Sequence, residues 1–256
     1  MEYFTKRSKV TKHILYLQDH NYNIDLSIID KVIFVSEGHK ASIQEKVTTD
    51  GSCILPNPVD EIYFSHSDKS KIKYRCVYLN NHAHGLDTLL DVWPHIKSKF
   101  PSATLQIYHN LNTWGIKSID EEKATDERIK SMRGSGVVLH GTLNTKLMYD
   151  ELIKAEFWLF PCIFDDPFNS TGLQAILCGV IPIVSDQTFL RKIALPKCTY
   201  WPLESNLFLE KCFEIMSLPQ EELSTLRDET IFYVKDKNLA LTPSNHVELF
   251  EEIISK

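Results

Sequence analysis

The segment PCIFDDPFNSTGLQAILCGVIPIVSD, residues 161–186, holds the densest set of residue types able to do chemistry. It carries a carboxylate, Asp166, then Pro167, Phe168 and Asn169, and the carboxamide of Gln174 eight positions after Asp166. Asn169 and Ser170 are both residues that cap helices, so a helix is expected to start here with the amides of 171–173 pointing free. Such a start combines unpaired N–H donors with the positive end of the helix dipole. It favours an anion, phosphate above all, without needing a lysine. Asp166 would then accept from a sugar hydroxyl and Gln174 would meet a ribose hydroxyl. The plain alternatives are a carboxylate that only shapes a loop and a glutamine that is only a helix residue.

Three more places put polar groups or bare main chain near the expected ends of strands. The turn Asn80-Asn81-His82-Ala83-His84-Gly85 offers His84 as a donor to phosphate, against the reading of an ordinary turn histidine. His82 and His84 form an H-x-H pair, but no third ligand stands at a familiar spacing, so no metal is expected. Asp19 and His20 follow the run LYLQ, and Gly141 closes VVLHG, where main chain can approach a ligand.

An α/β framework must position these groups. Short apolar runs at 14–17, 31–35, 53–55, 75–79, 104–108, 137–139, 157–160 and 181–184 alternate with amphipathic stretches. That is the rhythm of a parallel sheet with helices on both faces. The 86–100 stretch sets Leu86, Leu89, Leu90, Trp93 and Ile96 on one stripe, with Pro94 a candidate kink and Pro101 a stop. Helices are also expected over 145–155 and 171–179, the second stopped by Gly179, and in three stretches from about 207 onward, split by Pro219 and Pro243. The charged stretch 115–136 reads as a helix with a solvated face or as an excursion. Pro56-Asn57-Pro58 interrupts any element and marks a hinge. It divides residues 1–58 from 59–256, a length sufficient for a doubly wound domain.

A formal charge of −6 with no basic cluster argues against nucleic acid as the main partner. Six scattered cysteines with no C-x-x-C read as reduced core thiols, and so as a cytoplasmic setting, with peripheral membrane contact left open. Neither a signal peptide nor a membrane-spanning run is expected.

In order and spacing these motifs resemble the donor lobe of glycosyltransferase family 4, whose two-lobed architecture is termed GT-B. That family has a strand ending in Pro and an acidic residue, often with Pro-Phe-Gly. A second acidic residue follows eight positions after the first, then Ala and later Gly. Pro161, Asp166-Pro167-Phe168-Asn169, Gln174, Ala175 and Gly179 stand in those places. ILPNPVD (54–60) is similar to the segment joining the lobes, and 73–109 to the strand, turn, Gly-Leu helix and second strand that open the donor lobe. VVLHG is similar to the strand that brings main chain toward the base, and 32–43 to the last strand and helix of the acceptor lobe. The match covers roughly residues 14–190. Departures fall at Gln18, where the family has His, at His84, where it has a permanent cation, and at Gln174, where it has an acid.

The resemblance implies an α/β, doubly wound, Rossmann-like donor lobe of the GT-B type with a truncated N-terminal lobe remnant. It implies transfer of a hexose, with retention, from a UDP- or GDP-linked sugar to a hydroxyl of a glycan or other acceptor. No metal and no cofactor beyond that substrate are expected. Asp166 and Asp19 are the candidate catalytic residues. Asn81, His84, Gly85, Gly141, Pro167, Phe168, Asn169, Gly172 and Gln174 are the candidate donor-binding ones. The departures and the short first lobe support an alternative, a degenerate lobe acting as a binding or scaffold subunit. A partner chain or a second copy would then cover an exposed apolar patch on residues 1–55.

Overall fold

All eight apolar runs form strands of two parallel sheets in the computed structural model of the chain. It describes residues 12–18, 28–43, 51–64, 71–108, 119–164, 166–187 and 189–255. The small sheet takes β1 (Ile14–Leu17), β2 (Lys31–Phe34) and β3 (Cys53–Ile54) in that order. The large sheet takes β4 (Arg75–Tyr78), β5 (Thr104–Ile107), β6 (Val137–Leu139), β7 (Phe157–Phe160), β8 (Ile181–Ser185) and β9 (Thr199–Tyr200). Its order is β6-β5-β4-β7-β8-β9, with every neighbouring pair parallel. β7 and β8 are buried at every position, which is why FWLF and IPIVS show no polar alternation.

The chain moves outward from β4 to β5 and β6, then returns to lay β7 on the other side of β4. That reversal makes the gap between β4 and β7 the switch point. The loops after these two strands therefore flank the crevice in which a doubly wound sheet receives a ligand.

Helices cover the sheets much as their spacing requires. They are α1 (Glu37–Ile43), α2 (Leu86–Lys99), α3 (Ile119–Ser131), α4 (Thr145–Leu152), α5 (Ser170–Leu177), α6 (Leu190–Ile193), α7 (Ser205–Met216), α8 (Gln220–Asp236) and α9 (Pro243–Ser255). α2 buries its whole apolar stripe and continues through Pro94, which withholds one amide from the ladder. The charged stretch becomes α3, which buries Thr125 and Ile129 and ties to α2 through Arg128 and Asp91, 2.6 Å apart. All six cysteines are free thiols, five of them buried.

The small sheet is covered on both faces. Ile43 of α1 packs with Leu17, Val32 and Phe34, whereas Phe250 and Ile253 of α9 pack with Ile33 and Leu55. Lys31 Nζ donates to Ile253 O at 2.6 Å, and the Val59 amide donates to Leu241 O at 2.8 Å. None of the large exposed hydrophobic side chains among the described residues falls within 12–55. The apolar patch expected on residues 1–55 is thus absent from the described part of that stretch, because α9 returns to cover it.

Candidate functional site

The loop between β7 and α5 is built by its own polar side chains. Asp166 is only 8% exposed. Its Oδ1 accepts the Phe168 amide at 3.1 Å and its Oδ2 accepts the Asn169 carboxamide at 2.7 Å. Asn169 in turn caps α5, accepting the Gly172 amide at 2.6 Å and the Thr171 hydroxyl at 3.1 Å. The expectation of three free amides at 171–173 is therefore corrected. Gly172 donates to the cap side chain and Leu173 to the Asn169 carbonyl at 3.2 Å, because an Asn cap claims those positions. The amides of Ser170 and Thr171 keep no acceptor among the described residues. At Gly172 a Cβ would stand 2.3 Å from the Trp158 ring, so this glycine serves packing. Gln174 lies one turn into α5, half-buried.

The turn after β4 lies directly against that loop. Asn81 caps the short 3-10 turn His82–His84, its Oδ1 accepting the Ala83 amide at 3.0 Å. Gly85 has φ of 104°, and a Cβ there would come 2.0 Å from the Pro161 carbonyl oxygen, so only glycine permits the approach. The contact brings the His84 ring to 6.5 Å from Phe160 and 5.6 Å from Phe164. Burial lowers the His84 pKa from its ordinary value, while the Asp166 carboxylate pulls it the other way. His84 Nδ1 is enclosed and has no partner among the described residues. Phe164, 47% exposed, and its exposed neighbour Ile163 stand on the same loop.

At the end of β6, two strands from β4, Gly141 has φ of 75° and open space where a Cβ would project. Beside it the His140 ring stacks on Tyr108, centroids 4.7 Å apart, with Nε2 2.7 Å from Gln106 Oε1. The Tyr108 hydroxyl donates to Glu151 at 2.7 Å, and Arg75 and Lys154 pair with the same carboxylate. Burial works to raise the Glu151 pKa, but Lys154, Tyr108 and Arg75 together hold it down to about 2. Sequence reasoning missed Tyr108 and His140. Their only signal is a shared position at the ends of two strands whose pairing the sequence does not state.

The small sheet reaches the same loop. Ser36 Oγ donates to the Pro167 carbonyl at 2.7 Å while accepting the His39 amide at 3.0 Å. Phe168 packs on Phe189, with centroids 4.7 Å apart. Gln18 accepts the Asn57 carboxamide at 2.6 Å. Asp19 and His20 lie outside the described residues. Asp166, Pro167, Phe168, Asn169 and Gly172 thus share one loop and helix start, with His84 and Gly85 packed against it and Asn81 capping the turn that carries them. Among the described residues no helix is long and apolar enough to cross a membrane, and no three His, Cys, Asp or Glu side chains converge. A cavity of about 500 Å³ between α7 and α8, lined in part by Glu214, Ile215 and Leu226, shares no residue with this crevice.

No protein-family model matches the chain, and no curated protein matches its sequence. Solved structures do resemble it in three dimensions. A variant of S. aureus TarM in complex with fondaparinux, alpha-GlcNAc-glycerol and UDP superposes with a TM-score of 0.77 at 13% identity, over 99% of this chain and 52% of that one. The pneumococcal O-GlcNAc transferase GtfA, with UDP and GlcNAc, gives 0.69 at 16% identity, over 90% of this chain and 46% of that one. Anabaena HepE, with UDP and glucose, gives 0.72 at 13% identity, over 96% and 72%. The chain spans about half the length of the TarM and GtfA structures. At these identities the likeness is one of architecture, and that architecture is the parallel-sheet, Rossmann-like GT-B fold.

Proposed function

We propose that the chain binds a nucleoside diphosphate sugar, UDP- or GDP-linked, at the switch point. It transfers the hexose, with retention and without a metal, to a hydroxyl of a glycan or other acceptor. The carrying observation is the contact of Gly85 with Pro161, which sets His84 beside the Asp166 loop at the start of α5. Ser170 and Thr171 supply main-chain donors, and His84 a side-chain donor, for the diphosphate. Preorganised donors of this kind stabilise the charge that develops on a leaving diphosphate. Asp166, its carboxylate oriented by the Phe168 amide and the Asn169 carboxamide, accepts from hydroxyls of the sugar. Gln174 holds the ribose, and main chain near Gly141 the base.

Support comes from the architecture shared with TarM, GtfA and HepE, each solved with UDP. A second reading, a degenerate donor lobe acting as a binding or scaffold subunit, is favoured by Gln18, which stands where the resembled family has His and is engaged with Asn57. Calorimetric titration with UDP-, GDP- and ADP-sugars tests the first reading. One of them should bind, and Asp166→Ala should lower turnover by roughly tenfold or more without unfolding the chain. Lack of binding by every nucleotide sugar at millimolar concentration would overturn it. Donor hydrolysis by a chain that sediments as a clean monomer would remove the second.

A further inference from the structure

His140 is exposed, yet it is held on three sides. Its amide continues the sheet ladder to Ile107 O at 2.9 Å, and its Nε2 lies 2.7 Å from Gln106 Oε1. The inner face of its ring lies on Tyr108 with an interplanar angle of 14°. Both supports are themselves fixed. Tyr108 and Gln106 are buried, and the Tyr108 hydroxyl is locked to Glu151 between Arg75 and Lys154. An exposed ring held this firmly gives up side-chain entropy while its outer face stays in water. What folding leaves there is a flat, preoriented aromatic surface at the carboxyl end of a parallel sheet, next to a glycine with open space above it.

Chemistry and distance select what fits that surface. Planar heteroaromatic rings stack on aromatic side chains, whereas phosphates do not. Neighbouring strands lie about 4.8 Å apart, so the end of β6 stands roughly 10 Å from the end of β4, where the His84 turn begins. That is comparable to the reach from a pyrophosphate across a ribose to its base. We infer that the outer face of the His140 imidazole, backed by Tyr108, is the stacking platform for the base of the bound nucleotide. The inference rests on the donor-site reading above and adds to it the residue that senses the base.

The test titrates UDP, GDP, ADP and inorganic pyrophosphate into the wild type, His140→Ala and His140→Phe, with thermal unfolding as the folding control. His140→Ala should weaken the preferred nucleoside diphosphate by roughly tenfold to a hundredfold, the range that stacking a base on a ring supports, and leave pyrophosphate unchanged. His140→Phe should bind the nucleotide within about threefold of wild type, because it restores the planar face. Wild-type nucleotide affinity in His140→Ala, or equal weakening of nucleotide and pyrophosphate, overturns the inference. If pyrophosphate binds and no nucleotide binds more tightly, the base platform fails while the phosphate site stands. If neither binds, the donor-site reading fails as well.

Discussion

The two ends of the large sheet hold polar groups of similar kinds and use them differently. At the amino end Glu156, 1% exposed, accepts the Tyr74 amide at 2.6 Å and the Gln220 carboxamide at 3.1 Å. Lys71 Nζ donates to Leu152 O at 3.2 Å and Cys178 O at 2.6 Å, tying the ends of α4 and α5 together. Arg227 Nε donates to Gly179 O at 2.9 Å, while Nη2 of Arg227 and Nε of Arg75 are buried without a hydrogen-bond partner among the described residues. At the carboxyl end Asp166 and Asn169 close their loop, but His84 Nδ1 and the amides of Ser170 and Thr171 have no partner among the described residues, and Phe164 stays in water. Folding normally satisfies buried polar groups. The groups left over at the carboxyl end are the ones that the proposed diphosphate would complete.

The hardest blow to that contrast is Glu156→Ala. Removing this carboxylate strands the Tyr74 amide and takes a nearby negative charge from both Lys71 and Arg227, of which Arg227 keeps Asp228. The loss should be about 3 kcal/mol. For a chain of this size that lowers the unfolding midpoint by about 6–12 °C. Nucleotide affinity at the far end should not move, the reverse of Asp166→Ala. A Glu156→Ala chain that stays stable but loses nucleotide binding would erase the distinction between the two ends.

Lys71 sharpens the same point through pH. Burial, with Arg227 adding, pushes its pKa down to about 7 in the folded chain, against 10.5 for an ordinary lysine. Between pH 7 and 10.5 the unfolded chain therefore binds more protons, so Lys71 adds stability as pH rises through that window and loses it as pH falls. Tyr16 and Tyr63, raised to about 12, act in the opposite sense, but equally in a Lys71→Met variant. The urea unfolding free energy of wild type minus Lys71→Met should grow by about 3 kcal/mol from pH 7 to 10. A flat difference would show that the ammonium is held charged and that the amino end is not dry.

The sequence made the framework readable because strands buried on both faces must be continuous apolar runs, as in FWLF and IPIVS. Gly85 and Gly179 were readable as turn and stop, since a positive φ selects glycine. Some features were not readable. β9 is two residues long and carries no period. α9 announces an apolar face but not that it covers Ile33 and Leu55, some two hundred positions earlier. Asp166 stands out by type, yet its engagement with Phe168 and Asn169 depends on how the loop closes. The Tyr108–His140 stack exists only once the register pairs Ile107 with Leu139.

The smallest expected effect concerns His84. Its lowered pKa makes the ring predominantly neutral at pH 7, so the proposed diphosphate would meet no permanent cation there. A bound diphosphate favours the imidazolium, and linkage then requires that binding take up protons. Wild-type affinity for the preferred nucleotide sugar should fall a few-fold as pH rises from about 5.5 to 7.5. His84→Lys, which carries its charge throughout, should remove that slope and bind a few-fold more tightly at pH 7.5. Dissociation constants for both proteins across this range decide the matter. If the wild-type curve is already flat, the amides of Ser170 and Thr171 hold the diphosphate without help, and the enclosed Nδ1 of His84 belongs with the structural polar groups of the opposite end.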